Sequence, residues 1–158
     1  MIVLGVDPGN VRLGYGLIEK KGSFMRYIGS GLLKIPGGKD AGKQLLAIED
    51  GLSRVVKKFK PERIGVEKIF FSKNKKTGIF VAQARGLILK VAAENDLELI
   101  ELTPSSIKLS VTGNGRSDKA AVARMVGLFL KIGTAGMIDD ESDALATAIA
   151  ASDRIIGR

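Results

Sequence analysis

An almost unbroken apolar run from Ile2 ends at Asp7-Pro8-Gly9, the pattern of a buried strand that stops in a turn. Leu13 to Glu19 and Met25 to Ile35 predict two further strands, with Lys20-Lys21-Gly22 as the turn between them. Pro36-Gly37-Gly38 breaks that pattern, and Leu45, Leu46, Ile48, Leu52, Val55, Val56 and Phe59 then recur at helical spacing up to Lys60-Pro61. A short strand over Arg63 to Glu67 follows, then a helix over Gly78 to Asn95 whose only charges are Arg85, Lys90 and Glu94, then a strand over Leu97 to Leu102. Thr103-Pro104 reads as an N-cap and first-turn proline opening a short helix that Gly113-Asn114-Gly115 interrupts. Ser117 caps a helix running to about Lys131, and a last helix starts near Asp139 and runs through an Ala-rich stretch to about Ile155. Three early strands followed by alternating helices and strands predict an α/β fold with a mixed, five-stranded sheet, in a single domain over residues 1–158.

Composition narrows the chemistry sharply. The chain has 158 residues with neither histidine nor cysteine, which removes Ser-His-Asp and Cys-His catalysis, zinc fingers and a histidine general base together. A bound metal would have oxygen ligands, which favours Mg²⁺ or Mn²⁺ over Zn²⁺. The net charge of +8 points to a polyanionic partner. No stretch approaches the roughly 20 apolar residues that cross a bilayer. The opening MIVLGVDPG lacks a basic leader region and reads as the first strand of a cytoplasmic protein.

Two strands end alike, in Gly5-Val6-Asp7 and Gly65-Val66-Glu67. If they are parallel neighbours, alternation puts both acids on one face at the carboxyl ends, about 4.8 Å apart in strand spacing, where open α/β sheets carry their sites. Asp139-Asp140-Glu141-Ser142-Asp143 opens the last helix, and Asp140 and Asp143 share one side of it. Each acid also has a plain reading: a turn former at Asp7, a surface pair at Glu67-Lys68, complements to a helix dipole at 139–143. Together they fit a different arrangement, because a self-repelling carboxylate cluster is commonly held by divalent cations, and two Mg²⁺ ions suffice for phosphodiester hydrolysis.

Basic residues gather near these acids. Lys68, Lys73, Lys75 and Lys76 share one short loop with Phe70 and Phe71, in a chain that is only 5% aromatic. Phe71 or Ile69 is expected to face inward and Phe70 outward, where an aromatic ring can stack on an unpaired base. Lys108, Arg116 and Lys119 bracket Gly113-Asn114-Gly115. A first-turn lysine such as Lys119 is disfavoured by the helix dipole, so its place makes sense beside an anion.

These motifs, in this order, resemble the RuvC-type Holliday-junction resolvases of the ribonuclease H-like superfamily. The resemblance is carried by Gly5-Val6-Asp7-Pro8-Gly9 with Gly14-Tyr15-Gly16, Val66-Glu67 with Phe70 and Lys73-Asn74, and Gln83-Ala84-Arg85-Gly86. It continues through Thr103-Pro104-Ser105 with Lys108, Gly113-Asn114-Gly115 with Lys119, and Asp140-Glu141-Ser142-Asp143-Ala144-Leu145-Ala146. It implies a ribonuclease H-like fold and a homodimeric, Mg²⁺-dependent endonuclease that makes paired nicks at four-way junctions, with a branch-migration helicase as partner. It implies Asp7, Glu67, Asp140 and Asp143 as catalytic, metal-binding acids. From their own placement, Lys108 is expected to hold a backbone phosphate and Lys119 to approach the scissile phosphate as a basic clamp. Phe70, Lys73, Lys75, Lys76, Lys108 and Arg116 are then expected to contact DNA. Some members carry His where Asp140 stands and many carry His near Ala150-Ala151-Ser152, and Gln is common where Ala121 stands; this chain departs from all three.

Three other readings share parts of this pattern. Asp7-Pro8-Gly9 with Gly14 resembles the first phosphate loop of sugar kinases and actin-like ATPases, which need a second duplicated domain that 158 residues cannot supply. A superfamily nuclease acting on RNA or single strands would use the same acids. A non-catalytic DNA-binding module would explain the charge, but not four acids converging in a DNA groove.

Overall fold

The structure is a computed structural model that describes residues 1–68, 75–133 and 136–153, with backbone alone at 75–77. A five-stranded sheet has the order β3-β2-β1-β4-β5. Its strands are β1 (Ile2–Pro8), β2 (Arg12–Lys21), β3 (Phe24–Lys34), β4 (Arg63–Glu67) and β5 (Glu98–Leu102). The first three form an antiparallel meander, while β4 and β5 lie parallel to β1, so the sheet is mixed as expected. The helices are α1 (Ala41–Phe59), α2 (Lys75–Glu94), α3 (Pro104–Thr112), α4 (Lys119–Leu130) and α5 (Asp139–Asp153). Among the described residues no helix is long and apolar enough to cross a membrane.

Boundaries shift from the sequence expectation where caps, rather than apolar spacing, set them. Helix α1 starts at Ala41, before its first periodic leucine, because the Asp40 carboxylate accepts the Lys43 N–H at 3.1 Å. It ends at Lys60, which takes a left-handed conformation ahead of Pro61. Asp118, not Ser117, caps α4 by accepting the Ala121 N–H at 2.8 Å. The β2–β3 turn falls after Lys21, at Gly22, whose φ of 59° suits a residue without a side chain. Thr103 caps α3 through a box closed by Ser106, with Pro104 at the first helical position as expected.

Strand alternation sorts the core onto two faces. Leu4, Val6, Leu17 and Ile64 meet Ile48, Leu52 and Val55 of α1 and Ile88 of α2. Val3, Ile18 and Ile100 meet Leu145 and Ile149 of α5, with Ile107 of α3 and Val126 of α4 closing that side. Arg63 is buried and ties the far end of α5 to the sheet: its Nη1–H donates to the Ala151 carbonyl at 2.7 Å and its Nε–H to Glu98 at 2.7 Å.

Candidate active site

Glycines decide how close α5 comes to the sheet. A methyl group at Gly5 would lie 2.0 Å from the Ala144 carbonyl oxygen, and one at Gly14 would lie 2.2 Å from that of Asp140. Gly16 and Gly65 make similarly tight approaches to Leu145 and to Ala151. Since Gly5 pairs with Gly16 on β2 and with Gly65 on β4, the helix crosses three strands along a smooth track. The repeated glycine two residues before each strand-end acid is therefore the seat of α5. Alternation places Asp7 and Glu67 on that same face, and the first turns of α5 deliver Asp140 and Asp143 to it.

Asp7 feels the charge of each of the other three acids. Burial, then the charges of Asp143, Asp140 and Glu67, push the Asp7 carboxyl up to about 7, with Lys119 opposing. Burial and Asp143 also raise Glu67, against Lys108 and Lys119. Cations already engage two of the acids: Lys119 Nζ donates to Asp143 Oδ2 at 3.0 Å, and Arg12 Nε donates to Asp140 Oδ2. That bond raises the Lys119 ammonium above its ordinary value. The anion that its first-turn position called for is thus Asp143, on the neighbouring helix. As the side chains stand, no group of three acids among the described residues is close enough to hold a metal ion. The donor set nevertheless fits a hard divalent cation: it is all oxygen, partly buried, and loaded with repulsion that added positive charge relieves.

Between α3, α4 and α5 opens a cleft of about 230 Å³, whose lining joins apolar Ile107 and Val122 to Glu67, Asp143, Lys108 and Lys119. Lys108 and Lys119 therefore converge with the acids. Arg116 is exposed on the α3–α4 turn, where its N–H bonds the Asn114 side chain at 3.0 Å, and it lies outside the cleft lining. Phe70 and Lys73 lie outside the described residues, and Lys75 and Lys76 are placed as backbone in the first turn of α2. Arg12 was missed by sequence reasoning. Its only signal was strand alternation with Gly14 and Gly16, which puts it on the α5 face.

The fold defines a class, the ribonuclease H-like one, here with carboxylates gathered at the carboxyl edge of the sheet. Residues 3–151 match the family model described as "Crossover junction endodeoxyribonuclease RuvC", and the chain belongs to that family. Relatives of that description include proteins from Clostridioides difficile, 42% identical over 94% of this chain and 88% of theirs, and from Petrotoga mobilis, 40% identical over 94% and 91%. Among solved structures, T. thermophilus RuvC in complex with a Holliday junction substrate superposes with a TM-score of 0.89 at 29% identity, covering 96% of this chain and 93% of that one. The yeast mitochondrial resolvase Ydc2 matches in fold alone, with a TM-score of 0.70 at 14% identity. Membership carries the class of activity, that of a divalent-metal endodeoxyribonuclease.

Proposed function

We propose that the chain resolves Holliday junctions by paired, Mg²⁺-dependent phosphodiester nicks, in homologous recombination and DNA repair. The observation that carries this reading is the convergence of Asp7, Glu67, Asp140 and Asp143 on one sheet edge, with Asp7 pushed towards its neutral form first by burial and then by the charges of the other three. Asp7, Glu67, Asp140 and Asp143 would hold the cations, two Mg²⁺ per site with Mn²⁺ able to substitute. When bound, such ions activate water and stabilise the leaving oxygen. Lys119 and Lys108 line the same cleft, and they would hold phosphate oxygens and offset charge developing on the scissile group. Phe70 is assigned to stack on an unpaired base, and Lys73, Lys75, Lys76 and Arg116 to the phosphates of the arms.

Two coordinated nicks need two sites, so the active species is a two-fold homodimer. Helix α2 suits that contact: Ile79 is 59% exposed, and none of the described residues comes within 4 Å of a methyl group built at Gly86. A branch-migration helicase is the further partner. Gel-based cleavage of a synthetic four-way junction tests the reading. Wild type should cut symmetrically in Mg²⁺, and Asp7→Asn, Glu67→Gln, Asp140→Asn and Asp143→Asn should each lose at least about a hundredfold in rate. Equal cutting of linear duplex, RNA or single strands would replace the substrate; Mg²⁺-dependent cutting by the four variants at near the wild-type rate would sink the site.

A further inference from the structure

Arg12 stands on the α5 face of β2, two residues before Gly14, which pairs with Asp7. Its guanidinium is bonded to Asp140 at the rim of the acid cluster. It is not required to hold the start of α5 in place. The Asp140 carbonyl rests over Gly14, and the neighbouring Glu141 carboxylate accepts a hydrogen bond from Ser30 Oγ at 3.0 Å, itself bonded to the Tyr27 hydroxyl at 3.0 Å. Backbone seating and this hydroxyl relay fix the first turn from the β3 side.

The pair is also easily parted. The Arg12 side chain is 44% exposed and that of Asp140 25%, so water already competes for both. An arginine released there would present a planar fork of N–H groups, the geometry that grips a phosphate, on the same face as the acids. Arg12 and Lys119 together neutralise two acids in the protein as it stands, and a cation entering the cluster would displace both charges towards the surface.

We propose that Arg12 is an exchanging cation: it neutralises Asp140 in the metal-free protein and, once a divalent ion takes over Asp140, moves to a phosphate of the bound DNA. Metal and DNA binding then reinforce each other through this residue, and by linkage each strengthens the other equally. The inference rests on the junction-cleaving reading above and adds the coupling between its two ligands.

Fluorescence anisotropy with a labelled four-way junction measures the coupling without cleavage, in EDTA and then in Ca²⁺. Wild type should bind more tightly in Ca²⁺, and in Arg12→Gln that gain should shrink by roughly fivefold or more. Arg12→Lys should keep part of it. Lys58→Gln, which removes the same charge from α1 on the opposite face of the sheet, should keep all of it. Calorimetric titration of the DNA-free protein with Mn²⁺ should show Arg12→Gln binding more tightly than wild type, because the competing guanidinium is gone. A Ca²⁺ gain in Arg12→Gln within about twofold of wild type, or a weakened Mn²⁺ affinity, overturns the proposal. Wild type that shows no preference for the junction over linear duplex in either buffer instead defeats the functional reading, and the Mn²⁺ titration still decides the Arg12–Asp140 exchange.

Discussion

Gly5 of β1 lies directly beneath Ala144 of α5, so close that a methyl group on Gly5 would come 2.0 Å from the Ala144 carbonyl oxygen and 2.5 Å from the Ala148 nitrogen. Both obstacles are backbone, which cannot rotate aside. Asp7 on the strand and Asp143 on the helix are held in mutual range by this contact.

Gly5→Ala must therefore lift α5 or distort β1. Overpacking against main chain costs about 3 kcal/mol, and the urea midpoint should fall accordingly. Gly29→Ala in β3, where none of the described residues comes within 4 Å of the added methyl, should leave that midpoint nearly unchanged. Equal effects at the two positions would mean that α5 is not seated on Gly5.

Stability of the metal-free protein should depend on pH through Asp7. Its carboxyl titrates near 7 in the fold against 3.8 in the unfolded chain, so the folded state holds the proton more tightly. The ionised form is thus penalised: stability is highest below the unfolded value, falls as pH rises from about 4 to 7, and levels off above that. The penalty is on the order of 4 kcal/mol, and Glu67 shifts in the same direction. Thermal melts in EDTA should show Asp7→Asn more stable than wild type at pH 8 and similar to it at pH 4. Parallel curves for the two proteins would contradict this.

Cleavage and binding should separate in the acid variants. Removing one charge from the cluster forfeits several kcal/mol of transition-state stabilisation, so Glu67→Gln and Asp143→Asn should cut at least about a hundredfold more slowly. They should bind the junction in EDTA at least as tightly as wild type, since an acid facing phosphate opposes binding. Single-turnover rates beside gel-shift affinities check both halves.

Lys119 should matter for the rate and Lys108 for binding. The bond to Asp143 raises the Lys119 ammonium, so it stays charged at every pH used for assay, and Lys119→Arg should keep the wild-type pH–rate profile. Lys119→Ala should slow single-turnover cleavage roughly tenfold or more, as loss of a charged donor to a developing anion does. Lys108→Ala should chiefly weaken affinity, lowering the slope of log affinity against log salt by about 1. A Lys108→Ala protein with an unchanged slope would show that Lys108 does not hold a phosphate.

Much of this molecule was legible in its residues one at a time. The element order follows from apolar spacing, and Asp7 and Glu67 on one face follow from two matching strand ends once β1 and β4 prove to be parallel neighbours, because period and turn chemistry are local properties. Boundaries were read less well at α1 and α4, where Asp40 and Asp118 end the coil before any periodic apolar residue appears. Phe70 and Lys73, expected at the DNA interface, lie outside the described residues, so they remain expectations of the sequence.

What the sequence by itself determined is the kind of chemistry: without histidine or cysteine, a metal is left with oxygen ligands and catalysis with carboxylates, lysines, tyrosines and hydroxyls. What only the tertiary structure decided is which charges meet. Arg12 and Asp140 are 128 residues apart, and Lys119 and Asp143 belong to different helices. No spacing rule reaches across such distances, because the pairing is set by where α5 comes to rest on the glycines of β1, β2 and β4.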